Sequence, residues 1–173
     1  NIFLFSFIGS IYLICAGSLF YCNKNNKLSE IYTSIFFGSS MLGFISVLLN
    51  FYLPLDVKIN SIIFILILVI GLFIILKRKI LYNVLFCSLL ISFISTLILS
   101  YDTIYRPDAN LYHLPFTQII NENKIIFGIS NIHFRFGHVS ILQYLNANFN
   151  NFLFKENGII IPAAIIFSAF ILY

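Results

Sequence analysis

Two short polar clusters hold the residue types from which chemistry at a membrane surface is made. The first is Tyr105-Arg-Pro-Asp-Ala-Asn-Leu-Tyr-His-Leu-Pro115. Arg106 precedes Pro107 and is biased to an extended backbone, and Asp108 follows that proline, where a carboxylate caps the start of a short helix. The same carboxylate, with Tyr112 and His113 one turn onward, can take a proton from an acceptor hydroxyl or hold a divalent cation. Spacing leaves the cap and the chemistry equally open. The second cluster is Asn131-Ile-His-Phe-Arg-Phe-Gly137. Arg135 offers a planar fork for a pair of phosphate oxygens, and His133, two residues earlier, projects to the same side of an extended segment. The alternative is a guanidinium snorkelling to headgroups beside a loop histidine.

Other chemistries lack their residues. His133 and His138 are five apart, not the i, i+4 pair of a helical zinc site, and no HExxH is present. There is no GxGxxG, GxxxxGK[ST] or GxSxG, which removes nucleotide-binding and α/β-hydrolase readings. A net charge of +4, spread between apolar runs, gives no footprint for nucleic acid. Cys15, Cys22 and Cys87 are widely separated and read as packing residues. No cofactor and no protein-built metal site is expected, a divalent cation at Asp108 aside.

The elements that must position these clusters are membrane helices. The 173 residues are 60% hydrophobic and only 9% charged, against about 25% charged in a soluble domain. Four stretches are uncharged and close to the ~20 residues that cross a bilayer: Ile2 to Tyr21, Ile31 to Leu53, Ile59 to Leu76 and Ile80 to Tyr101. They are continuous apolar blocks without strand-type alternation, so helices are expected. None carries an Asp, Glu, Lys, Arg or His; Asn50 and Asn83 are the main polar exceptions, which argues against an ion-coupled carrier.

The expected architecture is all-α and polytopic. It comprises a four-span region (1–101), an outward loop with interfacial helices (102–157) and the start of a further, truncated span (158–173). The first residue, Asn1 rather than Met, and the short final apolar run read as a piece of a longer protein. The first and third connections hold five Lys/Arg (Lys24, Lys27, Lys77, Arg78, Lys79) and the second holds Lys58 alone, so the positive-inside rule puts the first and third in the cytoplasm and the long loop outside. Within that loop Pro115 to Asn123 sets Phe116, Ile119 and Ile120 against Gln118, Asn121 and Glu122, an interfacial helix. Val139 to Phe149 sets Ile141, Leu142, Leu145 and Phe149 against Ser140, Gln143, Asn146 and Asn148, either another interfacial helix or the foot of a fifth span.

Asp108-Ala-Asn-Leu-Tyr-His-Leu-Pro115, just after a span and before an amphipathic helix, resembles the Asp-x-x-x-Tyr-His-Leu-Pro segment in the first large outward loop of bacterial GT-C membrane glycosyltransferases. These are family 39-like enzymes that use polyprenyl-phosphate-linked sugars. Gly128-Ile-Ser-Asn-Ile-His-Phe-Arg-Phe-Gly-His-Val-Ser140 is similar to a Gly-Leu-x-Asn-x-His-x-Arg-x-Gly pattern in a less characterised group of bacterial multispanning proteins, where it also follows an Asp-x-x-x-Tyr-His motif. The resemblance covers about 33 residues. It implies a multi-pass protein of the bacterial inner (cytoplasmic) membrane, in contact with the bilayer, a polyprenyl-phosphate-linked sugar and a glycan or lipid acceptor of the cell envelope. It also implies a role for Asp108 as the catalytic base, for Arg135 and Arg106 as ligands of the lipid phosphate with His133 beside them, and for Tyr112 and His113 on the acceptor side. The competing readings are a non-enzymatic component or carrier of envelope polysaccharide assembly, in which Asp108 merely caps a helix, and a polysaccharide polymerase or ligase.

Overall fold

The computed structural model of the chain describes residues 1–21, 27–101, 109–137 and 140–173. Among them every regular element is helical: α1 (Ile2–Phe20), α2 (Leu28–Asn50), α3 (Val57–Lys77), α4 (Leu81–Tyr101), α5 (Leu114–Glu122), α6 (Ile141–Asn148) and α7 (Ile161–Leu172). Five segments are long and apolar enough to cross a membrane, α1 to α4 and Lys155–Leu172, in which a 3-10 turn leads into α7. The chain is a multi-pass, all-helical membrane protein. The charge-free runs foretold the spans to within three residues at each end.

Where the ends differ, side chains explain it. α2 stops at Asn50 rather than Leu53, because the Asn50 amide folds over to donate to the Leu53 carbonyl at 3.2 Å. α3 starts at Val57 because the Asp56 carboxylate accepts the Ile59 N–H at 2.8 Å, a cap for one of the orphan donors of a helix start. The basic turn between α3 and α4 closes with N–H bonds from Lys79 to the Leu76 carbonyl and from Ile80 to the Ile75 carbonyl. That closure puts Lys79 at φ +58°, a left-handed position usually given to glycine. Arg78 reaches the Tyr21 carbonyl at 3.4 Å, so the C-terminal end of α1 and the turn between α3 and α4 lie at one end of the bundle.

The bundle is built around α1. Five consecutive residues, Tyr12 to Ala16, are buried, as happens only when a helix is enclosed on every side. Enclosure depends on small residues. A Cβ at Gly17 would fall on the Ser34 backbone, one at Gly38 on the Leu13 carbonyl, and one at Gly71 on Cys15, so α2 and α3 approach α1 almost backbone to backbone. Serines within the spans return their hydroxyls to their own helix, Ser34 to the Glu30 carbonyl and Ser39 to the Ile35 carbonyl, while Ser95 and Ser168 meet across α4 and α7 at 2.8 Å. The outer faces of α3 and α4 expose Ile62, Leu66, Val69, Phe73, Leu89 and Phe93, the belt that meets lipid.

Opposite the basic end sits a cap made of the α2–α3 connection, α5, α6 and the turn before α7. Asparagine amides hold it together. Asn60 Nδ2 faces the carbonyls of Leu55, Ala147 and Asn150 at 2.7, 2.9 and 2.9 Å, and Asn121 Nδ2 faces those of Leu55 and Ala147 at 2.6 and 3.0 Å. Asn50 Nδ2 also reaches the Ile120 and Asn123 carbonyls, and Asn151 Oδ1 accepts from Leu153 and Phe154. From the bundle, Tyr12 donates its hydroxyl to Asn148 Oδ1 at 2.7 Å. These amides supply the partners that irregular backbone must have at the edge of a bilayer.

Candidate functional site

α5 is the axis of the site. As its periodicity predicts, Phe116 and Ile120 are buried while Gln118 and Glu122 face out, joined by a Gln118–Glu122 hydrogen bond of 2.8 Å; Asn121, expected on the same polar face, is instead buried, because its amide serves the Leu55 and Ala147 carbonyls. Pro115 occupies its first turn, where no N–H is missed. Before it, Ala109–His113 forms a single π-helical turn, a local widening of the helix frequent at functional sites. It brings the Tyr112 and His113 rings to 4.2 Å between centroids, tilted by 43°, and Thr117 ties α5 back through a 3.0 Å bond to the His113 carbonyl.

The segment after α5 doubles back. Ile125 donates to the Asn50 carbonyl, Gly128 turns the chain at φ +79°, and two 3-10 turns follow, Ile129–Asn131 and Phe134–Gly137. Phe136 stacks on Phe116 at 5.7 Å, which brings the second turn against α5 and sets the Arg135 guanidinium over the Tyr112 ring, 4.7 Å from its centroid. The expected extended Arg135–His133 strand is therefore corrected. The backbone is turned, and His133 meets Arg135 by accepting its backbone N–H on Nδ1 at 3.3 Å, with Nε2 left as the ring's donor. The His133 ring also lies against Phe134 and Phe136, 5.2 Å from each.

Four of the sequence-derived candidates, Tyr112, His113, His133 and Arg135, thus form one half-exposed cationic and aromatic patch. The remaining two, Arg106 and Asp108, lie outside the described residues, as do Asp102 and His138. Among the described residues no three His, Cys, Asp or Glu side chains gather as a metal ion would require.

The opposite side of α5 borders a groove of about 470 Å³ that sequence reasoning missed. Asp56, Gln118, Asn121, Glu122, Asn150 and Glu156 supply its polar lining and Leu114, Val57 and Ile159 its apolar part. Gln118, Asn121 and Glu122 carried a signal, as the polar face of α5; Asp56, Val57, Asn150, Glu156 and Ile159 come from other parts of the chain joined to α5 through the asparagine bonds. α6 departs further from expectation. It is a separate helix whose pattern holds in part: Leu145 and Phe149 are buried and Ser140 is exposed as expected, but Gln143 and Asn148 are buried while Ile141 and Leu142 are exposed. Gln143 completes a capping box with Ser140, and Asn148 takes the Tyr12 hydroxyl, so hydrogen bonds override the hydrophobic pattern. Burial also pushes the Tyr144 phenol on α6 above its ordinary pKa.

A bundle of apolar spans carrying a polar cap with a cationic and aromatic patch defines a helical multi-pass membrane protein with a surface-facing site. The chain belongs to the family described as Domain of unknown function (DUF8201), whose model matches residues 2–173. Neither the curated proteins nor the solved structures yield a match.

Proposed function

We propose that the chain carries the donor face of a membrane glycosyltransferase, which moves a sugar from a polyprenyl-phosphate carrier to a glycan or lipid acceptor of the cell envelope. The observation that supports the reading is the Arg135 guanidinium held over Tyr112, beside His133 and His113. Contact with a ring restrains the guanidinium, whose planar fork matches a pair of phosphate oxygens. In the reaction an acceptor hydroxyl forms the new bond at the anomeric carbon, the bond from that carbon to the phosphate oxygen breaks, and the polyprenyl phosphate leaves as an anion. Asp108 takes the hydroxyl proton, Arg135 and Arg106 balance the leaving charge, and Tyr112 and His113 border the acceptor. The groove beyond α5, with carboxylates and carboxamides beside apolar side chains, has the chemistry to hold a sugar's hydroxyls and ring face.

Donor binding tests the reading most directly. In purified, detergent-solubilised protein, Arg135→Lys keeps the charge but loses the planar fork, and is expected to weaken retention of polyprenyl phosphate about tenfold with unchanged thermal unfolding. Equal retention by the variant overturns the assignment and favours a non-enzymatic membrane component. The accompanying orientation, with Lys77 to Lys79 in the cytoplasm and the cap facing outward in the bacterial inner membrane, rests on the positive-inside rule. A single cysteine at Arg78, in a cysteine-free background, is then expected to resist an impermeant thiol reagent applied to intact cells and to react once the membrane is opened. Labelling from outside reverses the topology.

A further inference from the structure

We propose that the loop following α5, residues 125–134, is a wedge that inserts into the headgroup layer of an anionic bilayer. Phe127, Ile132 and Phe134 are 85%, 78% and 69% exposed, and Ile126 is exposed beside them. Four large apolar side chains bared within nine residues form a patch, unlike the single exposed apolar residues that any surface carries. The segment does have an inner side. Phe136 and Ile129 turn toward the small core of Phe116, Ile120 and Tyr144, so the outward set is a second face of an ordered loop.

Position and charge identify lipid as what covers this face. The loop is rooted at the end of α2, where Asn50 holds it twice, through the Ile125 N–H to the Asn50 carbonyl and the Asn50 amide to the Asn123 carbonyl. The residues next to that root, Phe51, Tyr52 and Leu53, are themselves exposed, so the patch continues the lipid-facing belt of the spans. Gly128, at φ +79°, makes the tip, and Phe127 stands on it. From Asn123 to Gly137 the sequence contains Lys124 and Arg135 and no carboxylate. Apolar side chains flanked by cations are the composition that binds the surface of anionic membranes. The wedge stands independently of sugar transfer.

The chain contains no tryptophan, so one introduced residue reports without background. Phe127→Trp and Phe134→Trp are placed one at a time in liposomes of phosphatidylcholine and phosphatidylglycerol, with Gln118→Trp, on the groove side of α5, as reference. Bromine atoms near the top of the acyl chains are expected to cut the emission of Trp at 127 and 134 at least about twofold and to leave the reference nearly unchanged, since such segments sit about 5–10 Å into the boundary. Removing phosphatidylglycerol should weaken the quenching. Water-like, unquenched emission at both positions overturns the proposal. So does a blue-shifted, unquenched signal accompanied by crosslinking between Phe127→Cys copies, which would show a second chain on this face.

Discussion

Asn60→Asp is expected to open the cap while leaving the spans helical. Its amide nitrogen serves three carbonyls that belong to three separate parts of the cap, Leu55, Ala147 and Asn150. The Leu55 and Ala147 carbonyls keep the Asn121 amide at 2.6 and 3.0 Å, so Asn60→Leu, close in volume, chiefly orphans the Asn150 carbonyl and should cost about 1–3 kcal/mol. Aspartate is worse. It has nearly the same shape, but a carboxylate aims charge at the same carbonyl oxygens, in a site with 0% exposure. The expected order of stability is wild type, then leucine, then aspartate. Trypsin sites at Lys124, Arg135 and Lys155 should become susceptible in the same order, while far-UV circular dichroism of the spans changes little. An aspartate variant as resistant as wild type would show that the amide hydrogen bonds do not hold the cap.

The second large effect concerns Asp108, which is expected to be the carboxylate that removes the acceptor proton. Asp108→Asn keeps much of the capping ability of the side chain and removes the base, so sugar transfer in proteoliposomes should fall by about 10²–10⁴ while polyprenyl phosphate is still retained. The two nearby acids are the controls. Glu122 accepts the Gln118 amide at 2.8 Å and borders the groove, so Glu122→Gln is expected to weaken sugar binding rather than proton removal and to lower transfer far less than Asp108→Asn, by about tenfold at most. Asp102 directly follows α4, where solvation explains a carboxylate without chemistry. Transfer that survives Asp108→Asn but not Asp102→Asn moves the base to Asp102. Transfer that survives both substitutions refutes the general-base mechanism.

The spans were readable in the sequence because one strong term decides them. About twenty uncharged residues have nowhere better to go than lipid, and the same term marked the apolar face of α5, although Asn121, set on its polar face by helical spacing, is buried for its hydrogen bonds. α6 was readable only in part, because its burial is decided by specific bonds. Gln143 goes inward for the Ser140 backbone, a capping box that the Ser-x-x-Gln spacing carries, and Asn148 for the Tyr12 hydroxyl, a partner that no local window contains. The asparagines carried a further disguise. In a sequence so rich in Asn, Ile and Lys they read as compositional bias, and Asn60 in particular sits inside an apolar run. Tyr112 and Arg135 were both singled out as residue types, yet their contact depends on Phe136 finding Phe116, a pairing invisible to spacing.

The asparagine cap also imposes an order of events on biosynthesis. Tyr12 waits for a partner 136 residues further along, and Asn60 for one 90 residues further. A ribosome adding about 5–20 residues per second needs about 5–20 s to make that second stretch, long after α3 has begun to enter the membrane. Throughout that interval the Asn60 amide, and the Tyr12 hydroxyl in the middle of α1, lack their final partners. The first helices are therefore inserted as an unfinished intermediate, exposed to insertion chaperones and membrane proteases until the turn at Asn150 emerges.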